Sequence, residues 1–167
     1  MKIQIIFKSV AVLGFFCVFF LNASAQTTEQ PLISKINADI LTEIKSSVSA
    51  KEKKWTLEKE QNSREIASFV WKSKKKQIIV DIFTHKSVQD AAERFKYVGN
   101  PRYIAVYVPA KPEKDFADEA MLRITNLYGG SAINFFFRQD IYIVSIWGEE
   151  KDARRFAEYV LAALKKN

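Results

Sequence analysis

The chain has 167 residues, 26 Lys+Arg against 19 Asp+Glu, one His and one Cys, with 48% hydrophobic and 27% charged residues. That is the composition of a folded protein of one domain's length, and it excludes a multidomain enzyme, a multi-spanning membrane protein, a disulfide framework and a cysteine metal cluster. The net charge of +7 favours anionic surfaces without requiring them.

Residues 1–25 have the layout of a secretory signal peptide. Lys2 and Lys8 come first, residues 10–21 are an unbroken apolar run, and Ala23-Ser24-Ala25 offers a signal peptidase small residues before Gln26. The run is shorter than the roughly 20 residues that span a bilayer core, so cleavage after Ala25 is expected, giving a secreted or periplasmic protein. The alternative is an uncleaved N-terminal membrane anchor. Phe16 before Cys17 is too large for a lipoprotein signal. Cys17 leaves with the signal, so the mature chain carries no thiol, no expected membrane span and a net charge of +5. Residues 26–30 form a polar leader, and residues 31–167 make one domain.

Pro31 sits where a first helical turn tolerates proline. Leu32, Ile33, Ile36, Ile40, Leu41, Ile44 and Val48 then recur at helical spacing, which predicts an amphipathic helix over 31–50. Lys51-Glu52-Lys53-Lys54 closes it with the positive charge a helix C-terminus favours. Trp55 and Leu57 alternate with polar residues, and Gln61-Asn62-Ser63 reads as a turn. Strands are expected over 65–72 and 77–84, joined by Ser73-Lys74-Lys75-Lys76. Ser87-Val88-Gln89-Asp90 opens a helix as a capping box with Asp in the place of Glu, and Val88, Ala91, Ala92 and Phe95 supply its stripe. Gly99-Asn100-Pro101 stops it.

Residues 103–108 read as a strand and residues 109–120 as a loop or short helix start, followed by a short strand over 121–125. Gly129-Gly130 marks a turn. Residues 131–147 carry the clearest β pattern. With Gln139-Asp140 as a two-residue turn, Ile133, Phe135, Phe137, Tyr142, Val144 and Ile146 share one apolar face. The other face is mixed and holds Asn134, Phe136, Arg138, Ile141, Ile143, Ser145 and Trp147. A last helix from about residue 149 to 165 buries Ala153, Phe156, Ala157, Val160, Leu161 and Leu164.

Ile79-Val80-Asp81-Ile82-Phe83 is echoed by Ile143-Val144-Ser145-Ile146-Trp147, and Ala92-Glu93-Arg94-Phe95 by Ala153-Arg154-Arg155-Phe156. The echo implies two strand–strand–helix units in a single antiparallel sheet of about five or six strands, an α+β fold with both helices on one face. Convergent strand and helix composition is the simpler explanation of the echo. Ser87, Ala92, Phe95, Asp118-Glu119-Ala120 and Ala153-Phe156-Ala157, taken together over residues 65–164, resemble small exported bacterial domains of unknown function. Ala117 stands where those domains often have Gly. The resemblance implies export and fold class, and no chemistry.

No cofactor or metal site is expected, since His85 is the only histidine and zinc needs three or four ligands. Asp81, His85 and Ser87 suggest a hydrolytic triad. On an extended strand, however, Asp81 and His85 lie about 13 Å apart, and Ser87 already serves as a cap. Asp118 and Glu119, with Asp115 before them, read as a solvated loop or helix start rather than catalytic carboxylates.

Two surfaces are candidates for binding. At the hairpin tip Trp71, Lys72, Lys74, Lys75 and Lys76 can engage phosphates or sulfates while the indole stacks on a ring, or can simply discourage edge pairing. The mixed face with Phe136, Ile141, Ile143 and Trp147 is either a groove or dimer face or is covered by the first helix. The reading is a non-catalytic exported binding or interaction module for a protein or envelope component, with no nucleic acid. The runner-up is an anionic-surface binder working through the basic tip, on lipid headgroups or acidic glycans; a small hydrolase using His85 comes third.

Overall fold

The computed structural model describes residues 35–99, 110–125 and 132–166. The expected signal segment, the polar leader, the start of the first helix, the strand over 103–108 and the Gly129-Gly130 turn lie outside those residues.

Helix α1 (Ala38–Lys51) begins where Asn37 Oδ1 accepts the Asp39 N–H at 2.9 Å, relieving one of the donors a helix start leaves open. Ile36 before that cap and Leu41 in the first turn are both buried, the spacing of a hydrophobic staple. Ile40, Ile44 and Val48 complete the buried stripe, as their spacing predicts. The helix expected over 31–50 starts only at Ala38, because the extended backbone of Asn37 caps it there and leaves Ile36 outside the helix.

The sheet has seven strands among the described residues, one more than the upper end of the expected range of five or six. They are β1 (Thr56–Asn62), β2 (Ile66–Ser73), β3 (Lys76–Thr84), β4 (Lys111–Glu113), β5 (Glu119–Thr125), β6 (Ala132–Gln139) and β7 (Tyr142–Gly148). Every neighbour is antiparallel, in the order β1-β2-β3-β7-β6-β5-β4. Composition hides two strands, β1 and the three-residue β4, which lies within residues expected to be a loop or short helix start. Gln61 and Asn62, read above as a turn, pair with Ser68 and Ala67, and the chain reverses at Ser63–Glu65 instead. An edge strand that is nearly all exposed has no apolar alternation to announce it; pairing with β2 creates it.

The β6–β7 turn is Asp140-Ile141, one residue later than expected, with Asp140 at φ 55°. Phe137 therefore faces Val144 and Phe135 faces Ile146. The pairing moves by two residues in all, so each residue keeps the face expected of it except Ile141, which sits in the turn. Ile133 faces Gly148, where a Cβ would overlap Ile78 Cδ1 and press on the Gln77 carbonyl oxygen at 3.1 Å.

The echoed strands β3 and β7 lie side by side at the centre of the sheet, paired about Asp81↔Ser145 so that Val80 meets Ile146 and Ile82 meets Val144. The strands thus form twin units, but the helices do not follow them. Helix α3 (Glu150–Lys166) leaves β7 after one residue and packs with α1 on the face of Phe69, Trp71, Val80, Phe135 and Ile146. Helix α2 (Val88–Gly99) leaves β3 after three residues and lays Ala91 and Phe95 on Phe136 and Ile143 of the opposite face. Two helices on one face was the expectation for α2 and α3; the longer connection carries α2 across the sheet's end. It is therefore α2, and not the first helix, that covers part of the mixed face.

Candidate functional site

The two lysine runs, about twenty residues apart in sequence, meet. The C-terminal end of α1 and the segment into β1 bring Lys51, Lys53, Lys54 and Trp55 to one side of a cleft of about 810 Å³; the β2–β3 turn brings Ser73, Lys74, Lys75 and Lys76 to the other. Glu52, Asp152 and Arg155 complete its lining. Lys74 adopts φ 53° in the two-residue turn Lys74-Lys75, and both lysines are exposed.

The lining cations are not equivalent. Lys76 Nζ reaches Glu149 at 2.5 Å and Asp152 at 3.1 Å, and these hydrogen bonds raise its pKa. Arg155 pairs with Glu52 and with Asp152 at 2.7 Å. Glu52 also accepts the Tyr159 hydroxyl at 2.8 Å; burial first and then that carboxylate push the phenol up to about 12. Glu149, Lys76, Asp152, Arg155, Glu52 and Tyr159 thus make a continuous chain of compensated charge. Lys51 lies over the Tyr159 ring at 5.0 Å. Lys53, Lys54, Lys74 and Lys75 take no ion pair among the described residues, so the uncompensated positive charge is on the rim.

Of the five tip residues named from sequence, three belong elsewhere or are already engaged. Trp71 is 2% exposed, stacked on Phe69 at 5.1 Å and edge-on to Phe156 at 5.4 Å. It is core and offers no face to a ligand, because its position in β2 faces α3 rather than the tip. Lys72 is paired across the strands with Glu58 at 2.6 Å. Lys76 holds the two acids of α3. The ring beside the free lysines is Trp55, half-buried and edge-on to Phe156 at 5.3 Å. Its nearness to Lys53 and Lys54 in sequence was the available signal, and the helix-closing role of those lysines masked it.

A second cavity, of about 400 Å³, lies on the α2 face. Phe83, Val98, Phe136, Ile143 and Trp147 are its apolar lining, and Asp81, His85, Arg123, Asn134 and Ser145 its polar lining. Of the mixed-face residues expected to form a groove, Phe136, Ile143 and Trp147 line it and Ile141 does not. Ser68 Oγ donates to Asp81 at 2.6 Å, and burial, partly countered by that bond, raises the Asp81 carboxyl. Ser145 Oγ donates to Asn134 Oδ1 at 3.1 Å, and Arg123 Nη2 donates to the Val98 carbonyl at 2.5 Å with its guanidinium 5.1 Å from the Phe136 ring centre.

His85 does touch a carboxylate, but not the one considered from sequence. Its Nδ1 lies 3.2 Å from Asp90 Oδ2 in the first turn of α2. Burial pushes the Asp90 carboxyl up, but the Lys86 N–H, the His85 ring and the nearby Arg94 together hold it below its ordinary range. Ser87 Oγ accepts the Asp90 N–H at 3.1 Å, as a cap should. Asp81 is engaged with Ser68, whereas His85 and Ser87 both meet Asp90, the first at its carboxylate and the second at its backbone N–H. Asp118 and Glu119 hold Arg138 at 3.0 and 3.3 Å, and Asp118 also accepts the Asp140 N–H at 2.8 Å, which clamps the β6–β7 turn. No cluster of three metal-ligating side chains occurs among the described residues, and no described helix is long and apolar enough to cross a membrane.

The fold and its two clefts define a class, an antiparallel α+β sheet with helices on both faces and one basic and one mixed cavity. Comparison with protein-family models, curated proteins and solved structures finds no match to the chain.

Proposed function

We propose that the protein is an exported, non-catalytic binding module that holds an acidic glycan in the lysine cleft. The observation that carries this reading is the convergence of Lys53 and Lys54 with Lys74 and Lys75 around Trp55. Four ammonium groups on two walls suit a ligand with repeated negative charge, since each wall alone offers only a screened surface pair. The concave shape and the indole suit a chain of rings, whereas a flat layer of lipid headgroups would meet the rim alone. The chain of compensated charge beneath leaves little for a single small anion to neutralise. Export is supported by the layout of residues 1–25, and the non-catalytic reading by Asp81 being engaged with Ser68 and the Ser87 hydroxyl with the Asp90 N–H as a helix cap.

The test compares two quadruple variants of equal charge change on immobilised heparin. Changing Lys53, Lys54, Lys74 and Lys75 to Glu is expected to abolish retention at 0.15 M salt, on the order of physiological ionic strength. Changing the exposed Lys86, Lys96, Lys111 and Lys151 to Glu should leave most of it. Equal loss in both variants would reduce the effect to net charge and overturn the reading. Retention on anionic vesicles but not on heparin would replace the glycan with a membrane surface.

A further inference from the structure

The second cavity is independent of the lysine cleft and lies on the other face of the sheet. We propose that it is a binding site for an uncharged sugar ring. Its centre is the rung where the echoed strands meet: Asp81 and Ser145 are direct cross-strand partners, both pointing to the α2 face. The next rung pairs Trp147 with Asn134 and Asn134 with Arg123, and the rung on the other side pairs Phe83 with Ile143. Along each strand, same-face residues are about 7 Å apart. The hydrogen-bonding rung therefore has an aromatic residue on either side, Trp147 and Phe83, about 14 Å apart along the sheet, a span of about two sugar rings.

The chemistry of the lining narrows the ligand. Asn134 is 95% buried, and its Oδ1 is taken by Ser145, which leaves the amide N–H groups to serve the cavity. Asp81 has one oxygen on Ser68 and a second with acceptor capacity. An amide donor and a carboxylate acceptor on adjacent rungs match the paired donor and acceptor character of neighbouring hydroxyls. Trp147 and Phe83 are half-buried and exposed, respectively, and present ring surface to the apolar C–H side of a sugar. Asp81 and Arg123 carry opposite charges and His85 faces Asp90, so the lining selects no net charge. The volume falls within the range of small-ligand pockets, about 300–1,000 Å³, and holds one or two rings.

The experiment titrates the folded protein with cellotriose, maltotriose and chitotriose, read by calorimetry and by indole fluorescence. At least one is expected to bind with a dissociation constant in the range of about 10 µM to 1 mM, a shallow-pocket affinity. Trp147→Ala should weaken that binding at least tenfold and remove the fluorescence change. Asp81→Ala should weaken it similarly, with circular dichroism confirming that both variants remain folded. Asn134 is too buried for a safe deletion, so Asn134→Asp, which keeps the shape and replaces the donor with an acceptor, is the second polar probe and should also weaken binding tenfold. The quadruple Glu variant of the lysine cleft should bind the sugar as the parent does, so failure of the cleft reading leaves this result readable. No binding of any of the three sugars, or binding that Trp147→Ala leaves intact, overturns the proposal.

Discussion

The two faces of the sheet are built from the same strands and are used differently. On the α1–α3 face Trp71, Phe69, Phe135, Phe137 and Phe156 are fully or almost fully buried, and Phe116 closes on Phe135 and Phe137 at 5.0 and 5.2 Å. On the α2 face the same strands alternate to Asp81, Ser145, Asn134, Arg123 and Arg138, and only Ala91, Phe95, Phe136 and Ile143 form a buried apolar cluster. The lesson is one of division: a face closed by two helices is filled with apolar side chains, whereas the face that, among the described residues, carries one helix buries the polar Arg123, Asn134 and Arg138 and leaves Asp81 and Ser145 half-exposed. Pleating makes this separation available, because adjacent residues of a strand never share a face.

Tryptophan deletion is the sharpest way to test that division. Trp71→Ala is expected to cost about 3–5 kcal/mol, the range for a large aromatic removed from a packed core, read by urea denaturation. The same deletion at half-buried Trp147 should cost about 1 kcal/mol or less. Equal costs would mean that the α2 face is as much a core as the other.

A smaller effect concerns the edge of the closed face. Arg154 on α3 holds Glu113 of β4 through two hydrogen bonds of 3.0 Å. Arg154 keeps the Glu113 carboxyl below its ordinary 4.5, although burial opposes it. A depressed carboxyl stabilises the folded chain above 4.5, and the contribution is lost as pH falls through the folded-state value. Glu113→Gln should therefore destabilise by about 0.5–1 kcal/mol at pH 7. That loss should shrink in high salt and disappear in acid. A pH-independent loss would show that shape, and not charge, ties β4 to α3.

The smallest effect has the opposite sign and belongs to the open face. The Asp81 carboxyl is raised by burial above its ordinary 3.8, so the folded state binds the proton more tightly than the unfolded one. Stability from that proton is full below 3.8 and is lost as pH rises through the folded-state value. Asp81→Asn should then raise the melting temperature slightly at pH 7 and change nothing at pH 3, measured by calorimetry at both. A loss at pH 7 would mean that the Ser68 hydrogen bond outweighs the desolvation of the carboxylate.

Much of the local structure was legible because it rests on local causes. The stripe of α1, the Ser87 cap and both faces of the β6–β7 hairpin follow from spacing and from donors that a helix start leaves open. The hairpin turn was misplaced because Gln139-Asp140 and Asp140-Ile141 preserve the same alternation, and only a residue at positive φ separates them. Trp71 was misjudged for a related reason. A tryptophan beside four lysines looks like a surface group until strand parity and the position of α3 are known.

By itself the sequence determined which residues alternate, where the second and third helices begin, and that the last hairpin has one wholly apolar face, since each depends on neighbours within a few positions. The first helix begins at Ala38 and not at Pro31 because Asn37 caps it. The tertiary structure alone decided that β1 is a strand, that α2 crosses to the face opposite α3, and that Lys53 and Lys54 meet Lys74 and Lys75 around Trp55. Those outcomes depend on pairing and packing between distant segments, whose free energy exists only once the chain has closed the intervening loops.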